Sequence, residues 1–599
     1  MNTVTSRIAQ LRAELQQAGL YACIVPSADP HLSEYLPEHW QGRQWLSGFT
    51  GSAGTLVVTV DGAGLWVDSR YYEQAQAQLA GSGIDMMKLT GAPGGGHADW
   101  LVAHAPKGAR IAIDGRTVSV GGLRRLRESF KPAGLAVETS HDLLGRIWQQ
   151  RPALPAAPVY EHALDYACQA RADKLSEVRA AMAEHQADWH LISSLDDIAW
   201  LLNLRGADVD YNPVFLAHVL LGRDDAQLFI APGKIDAALA QRLAADGVSV
   251  RGYDEVSGAL ACLPEGQRLL IDPARVTAGQ LEAAAFVELV EALNPSQWLK
   301  ALKSDAQVAH VRRAMAEDGA ALCEFFAGFE AALAQGQRLT ELDIDAQLIA
   351  CRARRARYVC PSFPTIAAYN ANGAMPHYRA LPESHAAIDG DGLLLIDSGG
   401  QYLDGTTDIT RVVPVGQTSA EQRRDYTLVL KGMIALSRAV FPAGLHAGTL
   451  DALARAPIWE GAADFGHGTG HGVGYFLNVH EGPQGISHRA PAGPHSGMTA
   501  GMITSNEPGL YRPGRWGIRI ENLVLAVPAA SSEFGDFLRF ETLTLCPIDT
   551  RCIDATLMRP DEIAWLDVYH ARVRERLAPL LEGAALDWLR LRTAAFRSG

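Results

Sequence analysis

Residues 393–413 read LLLIDSGGQYLDGTTDITRVV, and they leave few folds open. An apolar run ends on Asp397, a glycine-containing turn follows, and a second run holds Asp408 among small polar and β-branched residues. Such runs read as two antiparallel strands, which can bring the two carboxylates face to face. A carboxylate at the end of a buried strand is costly unless it is paired, hydrogen-bonded or bound to a cation. Asp397 alone could simply cap the turn, so the reading turns on which other acidic and imidazole groups the same region supplies.

Two more carboxylates stand at similar places. MITSNEPGLY (502–511) brings Glu507 to the end of a strand ahead of Pro508-Gly509, and GIRIENLVLAV (517–527) sets Glu521 inside an alternating strand. If Ile518 and Ile520 face the packed side, Arg519 and Glu521 share the other, which must be polar or lined with cations. Between these stretches, ADFGHGTGHGVGYFLNVHEGP (463–483) carries His467, His471 and His480 in a glycine-rich run. That run cannot sustain a helix, and its glycines permit close backbone approach. The helical H-E-x-x-H zinc motif and a G-x-G-x-x-G phosphate frame are both missing from it. Four carboxylates with one or more of the histidines form a hard, oxygen-rich donor set suited to divalent metal. Their formal −4 charge matches two M²⁺ ions, which in two-metal hydrolysis stand roughly 3.5–4 Å apart around one shared water.

The rest of the 599-residue chain frames this region. Its length predicts several cores, read as modules over 1–155, 156–298 and 299–599. The first boundary is the proline-rich QQRPALPAAPVY (149–160), the second ALNPSQW (292–298), after which Ser304 is a candidate N-cap for a long helix. Trp45-Leu46 and Trp200-Leu201, each ahead of strands joined by a turn, suggest that the second module duplicates the first. The N-terminal stretch carries Ile8, Leu11 and Leu15 at helical spacing, unlike the apolar core of a signal peptide. No window approaches the apolar length of a membrane span, and the eight scattered cysteines read as reduced core thiols. With 53 basic and 67 acidic residues the net charge is −14, which disfavours nucleic acid as a partner. A cytoplasmic protein is the simplest expectation.

The motifs IDSGGQYLDGTTDITR, HGTGHGVGYFLNVHEGP, NEPGLY and GIRIENL, in this order and spacing, resemble the pita-bread metallopeptidases. The whole chain resembles the three-domain, cytosolic type of aminopeptidase P. The resemblance implies an α/β (α+β) fold class: two creatinase-like N-terminal domains, then a catalytic pita-bread domain. It also implies the ligand set: Asp397 on a first metal, His471 and Glu507 on a second, Asp408 and Glu521 bridging both. His377 in GAMPHY, His467 and His480 match the family's substrate-binding and charge-stabilising neighbours of the metals, and Tyr511 and Arg519 match supporting positions. The ions implied are most often Mn²⁺, with Zn²⁺ or Co²⁺ as alternatives.

The activity so implied is hydrolysis of the bond between an N-terminal residue and a following proline, by a hydroxide shared between the metals. Glu507 would shuttle the proton, with His377 and His480 stabilising the developing charge. Peptides with proline second would be the partners, and a homodimer through the C-terminal domain is expected. A prolidase shares the metal site but takes only dipeptides, and the extra N-terminal modules argue against it. A metal-free, peptide-binding relative would have lost the ligand positions, all five of which are kept here.

Overall fold

Ile8, Leu11 and Leu15 bury one face of the first helix, Val4–Ala18, which the Thr3 hydroxyl caps and Gly19 ends at a left-handed φ of 64°. Asp61-Gly62 lies in the turn joining Thr55–Thr59 to Ala63–Val67, which pair antiparallel as the turn signal predicts. The computed structural model describes residues 3–90 and 95–597. It divides into two compact units, Met1–Leu164 with Gln169–Gln297, and Asp165–Cys168 with Trp298–Gly599.

The first unit holds two six-stranded sheets. One runs in the order Asp85–Lys88, Ala63–Val67, Thr55–Thr59, Ala22–Pro26, Arg110–Ile113, Ala136–Glu138. The other runs Val248–Gly252, Ala226–Ile230, Ala217–Gly222, Trp189–Ile192, Arg268–Ile271, Glu288–Glu291. The sequence of parallel and antiparallel pairings is the same in both. Trp45-Leu46 and Trp200-Leu201 fall on equivalent helices, Gly42–Ser47 and Leu195–Leu202. A plainer repeat lies elsewhere: DGRTVSVGGL (114–123) and DPARVTAGQL (272–281) share an Asp, a Val, a hydroxyl, a Gly and a Leu at identical spacing. The two copies touch reciprocally, Val120 N–H donating to Val276 O (3.0 Å) and Ala278 N–H to Val118 O (2.9 Å). Residues 151–159, the proline-rich stretch, form neither helix nor strand.

In the second unit Ser304 caps the 30-residue helix Asp305–Ala334 through a capping box with Gln307. A three-stranded antiparallel sheet is built from Ile366–Tyr369, Gly392–Ser398 and Ile409–Val415. A six-stranded sheet runs Val440–Pro442, Gly535–Thr542, Asn522–Ser532, Ile503–Asn506, Gly470–Gly472, Glu481–Ile486, and a ribbon pairs Gly509–Arg512 with Trp516–Arg519. The mixed helix-and-strand class expected from the sequence is therefore present in both units. Of the eight cysteines, Cys23, Cys323, Cys351, Cys546 and Cys552 are buried. No helix among the described residues is long and apolar enough to cross a membrane.

Two strand boundaries differ from the sequence reading. Asp408 directly precedes its strand, Ile409–Val415. GIRIENLVLAV is not one strand: the ribbon ends at Arg519 and the sheet strand begins at Asn522, so Glu521 sits on a two-residue crossing. The crossing is fixed from outside, because Thr410 O accepts Glu521 N–H (3.1 Å) and the buried Arg411 donates to Glu521 O (2.6 Å). Alternation survives the break, which is why the pattern looks continuous in one dimension.

Candidate metal centre

Antiparallel register sets Asp397 opposite Thr410. Thr410 is two residues beyond Asp408, so the pleat gives both side chains the same face. The crossing then delivers Glu521 to that face: Thr410 Oγ1 donates to Glu521 Oε2 (2.8 Å) and accepts from Arg519 Nε (3.1 Å). Arg519 and Glu521 thus share one side, as alternation predicts, while Ile518 and Ile520 are fully buried on the other.

His471 arrives from the neighbouring sheet on Gly470–Gly472, and its glycine flanks have a steric cause. A Cβ on Gly470 would lie 2.0 Å from Ser505 O, and one on Gly472 2.1 Å from Glu481 O. His471 Nδ1 lies 2.8 Å from Gly472 O, which assigns the proton to that nitrogen and turns Nε2 toward the carboxylates. Nε2 stands 3.5 Å from Asp408 Oδ2 and 3.3 Å from Glu507 Oε1. Ser505 Oγ accepts His471 N–H (2.9 Å) and donates to Glu507 Oε1 (3.0 Å), locking histidine and carboxylate together. One donor atom each from Asp408, His471 and Glu521 lie within 4.8 Å of one another. Asp397 joins through Arg519, whose Nη2 is 2.5 Å from Asp397 Oδ2.

Electrostatics report the crowding. Burial, then the Asp408 charge, pushes the Glu521 carboxyl well above its ordinary range. Burial likewise raises Asp397 to about 7, against the attraction of Arg519 and with repulsion from Asp408 and Glu507. Glu507 goes the other way: burial opposes ionisation, but hydrogen bonding and charge from His471 hold it at about 2. Asp397 Oδ1 and Glu521 Oε1 are buried with no hydrogen-bond donor among the described residues. Buried carboxylate oxygens without donors, crowded by like charge beside one imidazole, are what divalent cations complete, so these residues fit a metal centre.

Of the remaining candidates, His480 and His467 flank the cluster. The His480 ring is 4.3 Å from that of His471, nearly perpendicular to it. His467 Nδ1 lies 2.8 Å from Gly468 O, and its Nε2 is 2.8 Å from the Tyr511 hydroxyl, which in turn accepts from Arg519 Nη1 at 2.7 Å. Burial lowers His467 to about 4 and raises Tyr511 to about 12, so a neutral imidazole accepts from a protonated phenol. His377 is half-buried just after the turn Asn370–Ala374, which approaches the ribbon closely where Gly373 meets Gly517. Thr410, Arg411 and Ser505 were missed by sequence reasoning. For Thr410 and Ser505 a signal existed, their two-residue spacing from Asp408 and Glu507, whereas the acceptors of Arg411 at Glu521, Cys546 and Pro547 lie too far along the chain for any local pattern.

The chain matches known families along its length. The Creatinase/Prolidase N-terminal domain matches residues 7–151 and again 150–307, metallopeptidase family M24 matches 309–528, and the C-terminal region of that peptidase matches 536–596. Aminopeptidase P2 of Arabidopsis thaliana is 39% identical, covering 95% of this chain and 85% of its own. Xaa-Pro aminopeptidase 1 of Dictyostelium discoideum is 34% identical over 98% of this chain and 96% of its own. The crystal structure of X-prolyl aminopeptidase from Caenorhabditis elegans, described as a cytosolic enzyme with a di-nuclear active site, superposes with a TM-score of 0.94. It is 33% identical and covers 100% of both chains. With both N-terminal domains, the M24 domain and its C-terminal extension matched in order, the chain belongs to the three-domain aminopeptidase P family of M24 metallopeptidases.

Proposed function

We propose that the chain is an Xaa-Pro aminopeptidase, a dinuclear metallopeptidase that hydrolyses the bond between an N-terminal residue and a following proline. The observation that carries this reading is the convergence of Asp408, His471 and Glu521, with Asp397 and Glu507 against them and two carboxylate oxygens lacking donors. Asp397 would hold one ion, His471 and Glu507 the other, with Asp408 and Glu521 shared. Bound divalent ions acidify water and polarise the scissile carbonyl.

The chain's own groups do the rest. The Oε1 of Glu507 is engaged by Ser505, so Oε2 is the oxygen that takes the proton of the attacking water and passes it to the proline nitrogen. His480 and His377 stabilise charge developing on the carbonyl oxygen and hold the substrate backbone. Neutral His467, fixed by Tyr511 and Arg519, binds substrate. Proline second in the peptide presents a tertiary amide with a fixed φ, which suits a dedicated site. Oxygen-rich ligation favours Mn²⁺, with Zn²⁺ and Co²⁺ as alternatives. We also assign the domains to 1–155, 156–298 and 299–599, the cytoplasm as location and a homodimer through the last domain.

The test is metal analysis of the purified chain with reconstitution by Mn²⁺, Zn²⁺ or Co²⁺ and turnover of Arg-Pro-Pro against an Xaa-Pro dipeptide. Tripeptide cleavage is expected, lost by a factor of order 10³ or more in Asp408→Ala. Cleavage of dipeptide alone would make the chain a prolidase, and undiminished turnover in the variant would remove the site. Light scattering on the same sample, at micromolar concentration, checks the dimer; a monomeric mass rejects it.

A further inference from the structure

From the geometry around His467 we infer that Asp451 and Arg455 are positioning residues for the peptidase reaction, setting the backbone and ring of His467 and tying that segment to Glu507. This rests on the activity proposed above and adds two residues to its machinery.

Both residues lie on the helix Asp451–Glu460, one turn apart, where their side chains share a face. Arg455 is 1% exposed and Asp451 fully buried, so neither is a solvent pair of the weak kind. Every nitrogen of the Arg455 guanidinium is committed. Nε donates to Asp451 Oδ2 (2.8 Å), Nη1 to Asp464 Oδ1 (2.7 Å) and Phe465 O (2.8 Å), and Nη2 to His467 O (2.6 Å). The planar group also lies 3.8 Å from the centre of the Phe465 ring, whose centre is 4.9 Å from that of His467. One cation therefore holds the carbonyl of His467 and, through Phe465, one side of its imidazole. Tyr511 holds the outer nitrogen.

Asp451 anchors the other end of the segment. Its Oδ1 accepts from Thr469 Oγ1 (2.5 Å), and Thr469 O accepts Glu507 N–H (2.8 Å). Its Oδ2 also receives the His488 backbone N–H (3.1 Å) and lies 2.6 Å from His488 Nδ1. One buried carboxylate is thus linked to residues 465–469 twice, through Arg455 and through Thr469. The segment needs such ties because its glycines supply no side chains of their own to fix it. A shift of an ångström in His467 or Glu507 is enough to cost roughly 100-fold in turnover.

The experiment compares the metal-loaded full-length chain with Arg455→Ala, Arg455→Lys and Asp451→Asn on an Xaa-Pro-Xaa peptide. Arg455→Ala is expected to lose roughly 10- to 100-fold in kcat with a smaller change in KM, at unchanged metal content. Hydrogen exchange at 465–469 should quicken, and low-millimolar guanidinium should restore part of the rate. Lysine cannot span the same acceptors, so Arg455→Lys should recover little. If Arg455→Ala does not fold, the near-isosteric Asp451→Asn carries the test, with the same loss of kcat and the same quickened exchange. Folded variants with wild-type kcat overturn the inference, as does a rate loss with unaltered exchange and no guanidinium rescue. A wild-type chain inert toward the peptide removes both this inference and the proposed activity, whereas an active wild type with undiminished variants removes this inference alone.

Discussion

Thr410 Oγ1 stands between the Arg519 guanidinium and the Glu521 carboxylate, accepting from the first and donating to the second. Valine at this position keeps the shape and removes both bonds, leaving a buried guanidinium N–H and a buried carboxylate oxygen without partners. Thr410→Val is expected to fold, to bind metal roughly 10- to 100-fold more weakly and to lose activity in proportion. Competition with a fluorescent chelator, alongside kcat, checks this; wild-type affinity would show the bridge to be dispensable. The sequence made this residue legible in principle, since it follows Asp408 by the strand period. Arg411 is a different matter, because its acceptors include Glu521 O, Pro547 O and Cys546 O, more than 100 residues away.

At the level of elements, the strand Gly470–Gly472 has room for one side chain, that of His471. A methyl group on Gly470 must displace Ser505 O, on the strand that positions Glu507, so two of the proposed ligands move at once. Gly470→Ala should therefore retain wild-type helix and strand content by circular dichroism while losing bound metal and at least about tenfold in activity. A fully active Gly470→Ala chain would mean that the two strands can part without cost. The glycine spacing, the capped helix at Ser304 and the Asp61-Gly62 hairpin were all readable, since each rests on short-range sterics or hydrogen bonding. The break at Ile520-Glu521 was not. Alternating polarity continues unchanged from ribbon to sheet, and only Thr410 and Arg411, distant in sequence, force the chain across.

For the whole molecule, the duplicated sheets carry an acid sensitivity. His190 Nδ1 lies 3.0 Å from Leu270 O while its Nε2 is buried without a partner among the described residues, and burial lowers its pKa from 6.5 to about 4. Burial lowers His31 and His218 as well, and their rings stack at 4.5 Å. A histidine depressed in the folded state takes up its proton in the unfolded chain first. Stability from this source is thus whole above pH 6.5 and declines as pH falls toward 4, by about 3 kcal/mol for His190. Thermal unfolding followed from pH 7.5 to 4.5 should show this decline, with a shallower slope in His190→Asn; an identical slope would exclude His190. The repeat behind this unit was only faintly legible through Trp-Leu pairs. The shared Asp, Val, hydroxyl, Gly and Leu of 114–123 and 272–281 mark it better, because those segments make the reciprocal contact between the copies.

Asp397 Oδ1 and Glu521 Oε1, buried and without donors among the described residues, have one last consequence. Mutual repulsion of carboxylates is relieved by almost any small dication, so an oxygen-rich cage, even one that prefers a particular ion, accepts whichever small dication is abundant. The occupant is then decided by what the cell supplies, and the same polypeptide grown on media of different mineral content should emerge as chemically distinct catalysts with unequal speeds.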